Sequence, residues 1–217
     1  MPLVPVPLLR KIELALLAPE LDRQQVEDGC AVALRHECVS VFVKPHYIEV
    51  ARKALKDTHL HVISVVGFPH GGVTTATKMY ETQDLLQRGA DELAMVINLG
   101  ALRDHDDLAV KNDIQGVIRT ARGKPITVIL ETPLLTDEDK VHACRLVQAA
   151  SVASIMTATG FVPSPSIAND VRLLRTTAPG LKIRAAGGSD SQKDALAMLE
   201  AGAALVVLND IGKTLGG

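Results

Sequence analysis

Eight short apolar runs, each followed by a stretch of helical period, constrain this chain more than any other feature of its sequence. The runs are IELALL (12–17), CVSVFV (38–43), HVISVVGF (61–68), DELAMVIN (91–98), ITVILE (126–131), VASIMT (152–157), KIRAA (182–186) and AALVVL (203–208). Each is short enough for a strand, and most are apolar on both faces, as parallel strands buried under helices are. Between the runs, Val26, Cys30, Ala33 and Leu34 recur at i, i+4, i+7 and i+8. Thr136, followed by Glu138 and Asp139, offers an N-cap and an acidic first turn to a helix carrying Val141, Cys144, Leu146 and Val147. Asp190 or Ser191 caps a helix through Ala195, Met198 and Leu199 that Gly202 ends, and Gly89 closes the third helix in the same way.

With no linker-like stretch, the 217 residues read as one α/β domain spanning 1–217. The choice lies between a closed (β/α)8 barrel and an open doubly wound sheet. No G-x-G-x-x-G follows the first run; glycines instead follow the third (GFPHGG, 67–72), sixth (Thr159-Gly160) and seventh (Gly187-Gly188). Glycines spread around the repeat suit a TIM barrel, whose site is built by the loops after its strands. After the eighth run only Asn209 to Gly217 remain, so the final helix is expected to be shortened or absent. The outer groove between the last and first strands is then partly uncovered, to be closed by a terminal turn, the proline-containing N-terminus or another subunit.

Composition removes several classes of function. A net charge of −2, from 23 basic and 25 acidic residues, lacks the surplus of a nucleic-acid binder. Three Phe, two Tyr and no Trp leave little for stacking on bases. Cys30, Cys38 and Cys144 form no C-x-x-C pair, so neither a disulfide framework nor a thiolate metal site is indicated. The N-terminal MPLVPVPLLRKIE is broken by three prolines, and no apolar run is long enough to span a bilayer. A cytoplasmic protein without metal or cofactor is expected.

The segments VVGFPHGG (65–72), RGADELAMVINLGAL (88–102), TVILETPLLTDEDK (127–140), TATGF (157–161) and AAGGS (185–189), in this order, resemble the 2-deoxyribose-5-phosphate aldolase family from about Ile12 to Leu208. The resemblance implies a barrel and a cofactor-free, reversible cleavage of deoxyribose 5-phosphate to acetaldehyde and glyceraldehyde 3-phosphate. That chemistry needs a neutral lysine amine, a carboxylate with a relayed water, and a glycine-lined phosphate pocket. By the resemblance, Met156 stands at the imine lysine on strand six, and a thioether cannot form an imine. Arg184 stands at a second lysine, Ala94 at the relay aspartate, Thr127 at a strand-five lysine and Phe42 at a cysteine; on strand one only the carboxylate, Glu13, survives. Gly160, Gly187 and Gly188 of the phosphate loops remain, whereas Val207, Asn209 and Asp210 replace a glycine and two serines, with Asp210 expected to repel a phosphate.

These substitutions lead to the expectation of a catalytically degenerate homologue, more a non-catalytic partner or regulatory subunit than an enzyme. It would form a homo- or hetero-oligomer, the latter with an active aldolase paralogue. The alternatives are a repurposed enzyme doing non-imine acid–base chemistry at the barrel mouth and a true aldolase with a displaced lysine. Pocket candidates are Glu13, Lys44, His70, Asn98, Glu131, Arg184, Asn209 and Asp210. Asn98 and Glu131 are expected to bond loops and each other, and His70 to fix its glycine turn. Lys44 is the one lysine of eleven placed directly after a strand. Lys78 and Glu81 read as an i, i+3 surface or interlayer pair, and Met95 and Met156 as core filler.

Overall fold

A computed structural model describes residue 8 and residues 10–164, 167–188 and 191–215. Its eight strands are β1 (Ile12–Leu16), β2 (Ser40–Val43), β3 (His61–Val66), β4 (Glu92–Val96), β5 (Ile126–Ile129), β6 (Ser154–Met156), β7 (Lys182–Ala186) and β8 (Leu205–Leu208). All pair in parallel in sequence order, and β8 closes on β1, with Val207 opposite Glu13. Around this (β/α)8 barrel lie α1 (Arg23–Arg35), α2 (Ile48–Ala54), α3 (Thr75–Gln87), α4 (Leu99–Arg103), α5 (Asp107–Ala121), α6 (Asp137–Ala149), α7 (Ile167–Thr177), α8 (Gln192–Glu200) and α9 (Ile211–Leu215).

The local signals act as their chemistry requires. Thr136 caps α6 in a capping box with Asp139, and Ser191 caps α8; Asp190, the other proposed cap, lies outside the described residues. Gly89 and Gly202 follow their helices at positive φ. The spacing errs at Leu34, which is 41% exposed on α1 although its period mates Val26, Cys30 and Ala33 are buried.

Alternation along each strand divides the apolar side chains into two cores. On β4, Ala94 and Val96 face the barrel interior, and Leu93 and Met95 face the helices. The two methionines are thus filler in different places: Met95 packs under the helices and Met156 inside the barrel. The final helix, α9, has only five residues. A groove of about 370 Å3 remains beside it, lined by Leu14 and Leu16 of β1, Val32 of α1, and Ile211.

Lys78 of α3 corrects the sequence reading. It is fully buried and pairs not with Glu81 but with Asp113 of α5, while its Nζ also donates to Val96 O at 2.8 Å. Glu81 instead accepts from Gly67 N–H at 2.7 Å.

Candidate functional site

Register and alternation stack the inward side chains in layers of four from alternate strands. Ser40, Glu92, Ser154 and Leu205 form the lowest, at the N-terminal end, and Glu13, Ile63, Thr127 and Arg184 the next. Above them come Phe42, Ala94, Met156 and Val207, then Ala15, Val65, Ile129 and Ala186. The two upper layers are wholly apolar and continuous, with Phe68 packed against them. Met156 is 1% exposed in this cluster, a thioether in the middle of the barrel.

The C-terminal mouth carries most of the candidates. Lys44 follows β2, and its Nζ donates to Ala18 O, Pro19 O and Leu21 O at 2.7, 2.8 and 3.1 Å. Asn98 caps α4 by accepting from Ala101 N–H at 3.2 Å. Glu131, in a left-handed conformation after β5, accepts from Thr159 N–H at 3.2 Å and from the Thr159 hydroxyl. Asn98 and Glu131 therefore each hold a loop, as expected, but bond to Ala101 and Thr159 and not to each other. His70 is exposed, and the turn it was expected to fix is held by Gly71 N–H donating to Gly67 O at 2.7 Å. Only glycine fits at 71, where a Cβ would lie 2.0 Å from Ile97 O.

The glycine turns after β6 and β7 are present, with Gly160, Gly187 and Gly188 all at positive φ. A Cβ on Gly188 would lie 2.7 Å from Ser164 O, so this close loop approach needs glycine. Asn209 brings its amide next to Gly160: a Cβ there would be 3.6 Å from Asn209 Nδ2. Asp210, expected to repel a phosphate, accepts through Oδ1 from Lys213 N–H at 2.9 Å at the start of α9.

Glu13 and Arg184 are not part of this mouth. They lie at the opposite, N-terminal end in a polar network with Glu92, which the sequence reading missed. Arg184 Nη2 donates to Glu92 Oε2 at 2.7 Å across the barrel, and its Nη1 is 3.4 Å from Glu13 Oε1. Ser40 Oγ donates to Glu13 Oε1, and Thr127 Oγ1 to Glu92 Oε1, both at 2.6 Å. Ser154 Oγ lies 2.6 Å from Thr127 Oγ1 and, with that proton already directed at Glu92, acts as its donor. Burial pushes the Glu13 carboxyl up, and the Arg184 charge pulls it partly back. Period-two alternation from Ala94 places Glu92 inward and was the signal available in the sequence.

Among the described residues no group of three or more His, Cys, Asp or Glu is arranged to hold a metal ion. No helix there is long and apolar enough to cross a membrane. All three cysteines are free and buried, and burial pushes the Cys38 thiol up to about 12.

A closed parallel barrel with glycine turns at its C-terminal mouth is a scaffold on which many enzymes are built, and comparison specifies it further. Residues 13–205 match the DeoC/LacD family aldolase, and the chain belongs to that family. It is 42% identical over 193 residues to the deoxyribose-phosphate aldolase of Streptococcus equi subsp. zooepidemicus, covering 88% of each chain. The Staphylococcus haemolyticus enzyme of the same name matches to the same extent. A putative deoxyribose-phosphate aldolase from Coccidioides immitis superposes with a TM-score of 0.91 at 30% identity, covering 96% of this chain and 84% of the other. The tetrameric deoxyribose phosphate aldolase of Aeropyrum pernix gives 0.88 at 26% identity, over 96% and 89%.

These relatives correct the expectation of a non-catalytic partner or regulatory subunit, and with it the repurposed enzyme. Identity of 40–42% across most of the chain with proteins named deoxyribose-phosphate aldolase points to a true aldolase. The departures at 94, 127, 156 and 184 are confined to four positions, whereas the similarity runs across 193 residues.

Glu131 offers a direct test of how the mouth is held. Burial raises its carboxyl above the ordinary 4.5, against the two Thr159 hydrogen bonds that lower it. A raised carboxyl favours the fold below its unfolded value, and that contribution is lost as pH rises through the folded value. Glu131→Gln keeps an acceptor for Thr159 but removes the titration. The difference in melting temperature, variant minus wild type, should therefore widen in favour of the variant from pH 4 to pH 7. A difference constant across that range would show that Glu131 does not carry this titration.

Proposed function

We propose that this chain is an aldolase of the deoxyribose-phosphate type, cleaving and forming a carbon–carbon bond between a small aldehyde and a phosphorylated one. The observation that carries this reading is the 42% identity over 88% of both chains to relatives of that name. The positive-φ turns at Gly160 and Gly187-Gly188 support it, because backbone N–H groups in such turns, with the Asn209 amide beside Gly160, suit a phosphate.

The amine is the step for which β6 offers no group, since Met156 is a buried thioether. Our candidate is Lys44, which directly follows β2 at the mouth. Its Nζ donates to three backbone carbonyls, so imine formation requires it to exchange them for substrate. We also place the protein in the cytoplasm, in keeping with its free cysteines, and propose that it self-associates, the A. pernix relative being tetrameric. Light scattering tests the assembly: a second species on addition of an aldolase paralogue would replace self-association with a hetero-complex.

The test of function is release of acetaldehyde from deoxyribose 5-phosphate, with parallel borohydride trapping in acetaldehyde and peptide mapping. Turnover with an adduct on Lys44 is expected. Turnover with an adduct on another lysine would keep the aldolase and move the amine. Absence of both turnover and adduct in folded protein would overturn the proposed function.

A further inference from the structure

The N-terminal end of the barrel, opposite the mouth, holds a second cavity. It has a volume of about 370 Å3, within the size range of small-molecule sites. Its position follows from its lining, which comes from strand beginnings: Ser40 opens β2, Glu92 opens β4 and Leu205 opens β8. Arg184 and Glu13 form its inner wall, with Ile63 beside them.

The chemistry of this wall is unusual for a barrel base. Arg184 is 8% exposed and Glu13 1% exposed, yet Arg184 Nε, Arg184 Nη1 and Glu13 Oε2 have no hydrogen-bond partner in the protein. Buried donors and acceptors left in this condition carry a desolvation cost that a ligand with matching groups removes. The guanidinium is partly committed: Nη2 donates to Glu92, Nη1 lies 3.4 Å from Glu13 Oε1, and Cζ lies 5.8 Å from the Phe42 ring centroid. What remains are the donor nitrogens Nε and Nη1 and one carboxyl oxygen, between apolar surfaces of Ile63, Leu205 and Val39.

Charge selects the class of ligand. The acidic lining residues Glu13, Glu92 and Asp91 offset the basic Arg184 and Lys124, so the cavity presents no surplus of positive charge. A phosphate or carboxylate would meet the oxygens of Glu13 and Glu92 on either side of the one guanidinium, and an ammonium would meet the guanidinium itself. A neutral molecule bearing several hydroxyl or carbonyl oxygens has acceptors for Arg184, a donor for Glu13 Oε2, and carbon faces for the aliphatic wall. We propose that this cavity is a binding site for a neutral, sugar-sized polyol, separate from the mouth and independent of the aldolase assignment.

The test is isothermal titration and saturation-transfer NMR of the full chain with xylitol, alongside inorganic phosphate. Saturable binding of xylitol, and none of phosphate, is expected. Leu205→Phe, which fills the cavity from its rim, and Arg184→Lys, which keeps the charge but removes Nε–H and Nη1–H, should each weaken xylitol by about tenfold or more. Circular dichroism confirms that both variants are folded, and Glu131→Gln at the mouth should bind xylitol like the wild type. Three results would each overturn the proposal. They are no saturable xylitol binding to wild type, xylitol binding unchanged in folded Leu205→Phe, and phosphate competing for the same site.

Discussion

Lys78→Met should lower the stability of the chain by about 3–5 kcal/mol, a large share of the roughly 5–15 kcal/mol typical of a domain. Methionine preserves the apolar stem, so the loss isolates the ammonium. Lys78 has no exposed surface, and its charge stands between Asp113 and the carbonyl of Val96 at the end of β4. Burial pushes its amine down, against the hydrogen bond and charge of Asp113 that raise it. Removing it leaves the Asp113 carboxylate 2% exposed, with the Thr75 hydroxyl at 3.0 Å, and leaves Val96 O without this donor.

A control separates the pair from the packing. Replacing both partners, Lys78→Met with Asp113→Leu, removes the stranded charge and should recover most of the loss, since a buried ion pair is often matched by apolar groups of similar volume. Urea unfolding measures both: the midpoint should fall sharply in the single variant and return toward wild type in the double, with an unchanged slope. A single-variant loss below about 1 kcal/mol would refute the view that this pair clamps α3 and α5 to the barrel. The clamp also bears on the mouth, because Lys78 Cε lies 2.8 Å from where a Cβ on Gly67 would stand.

The contrast between this pair and the strands shows what a sequence of this kind discloses. All eight strands fall inside the apolar runs, because a buried strand writes its signature in consecutive residues. The cap at Thr136 is equally local. The Lys78–Asp113 pair joins positions 35 apart, and the Arg184–Glu92 pair joins positions 92 apart across the barrel. No local period marks such partners. At the site, the glycine turns and the loop roles of Asn98 and Glu131 were legible from spacing, but grouping Glu13 and Arg184 with them was not. Strand alternation fixes that a residue faces inward, and only the shear of the closed barrel fixes at which height. That height puts Glu13 and Arg184 below the Met156 layer, away from the mouth.

Arg184→Met is expected to cost about 3–5 kcal/mol at pH 7, because it strands two carboxyl groups at once. Glu92 loses its charged partner at 2.7 Å and keeps the Thr127 hydroxyl; Glu13 loses the cation 3.4 Å away and keeps Ser40. The pH dependence has a definite sign. Burial already raises Glu13, and the Arg184 charge is the largest influence holding it down, so the variant raises that carboxyl further. A carboxyl raised in the fold favours folding below its ordinary 4.5 and withdraws that contribution as pH rises through the folded value. The penalty of Arg184→Met should accordingly be small at pH 4 and grow toward pH 7, and urea midpoints of variant and wild type at both pH values measure it. Adding Glu92→Gln should recover part of the loss at pH 7 and little at pH 4. A penalty of equal size at both pH values would mean that the arginine acts through its contact with Phe42 and its packing volume. The network of Glu13, Glu92 and Arg184 would then not be what holds the base of the barrel.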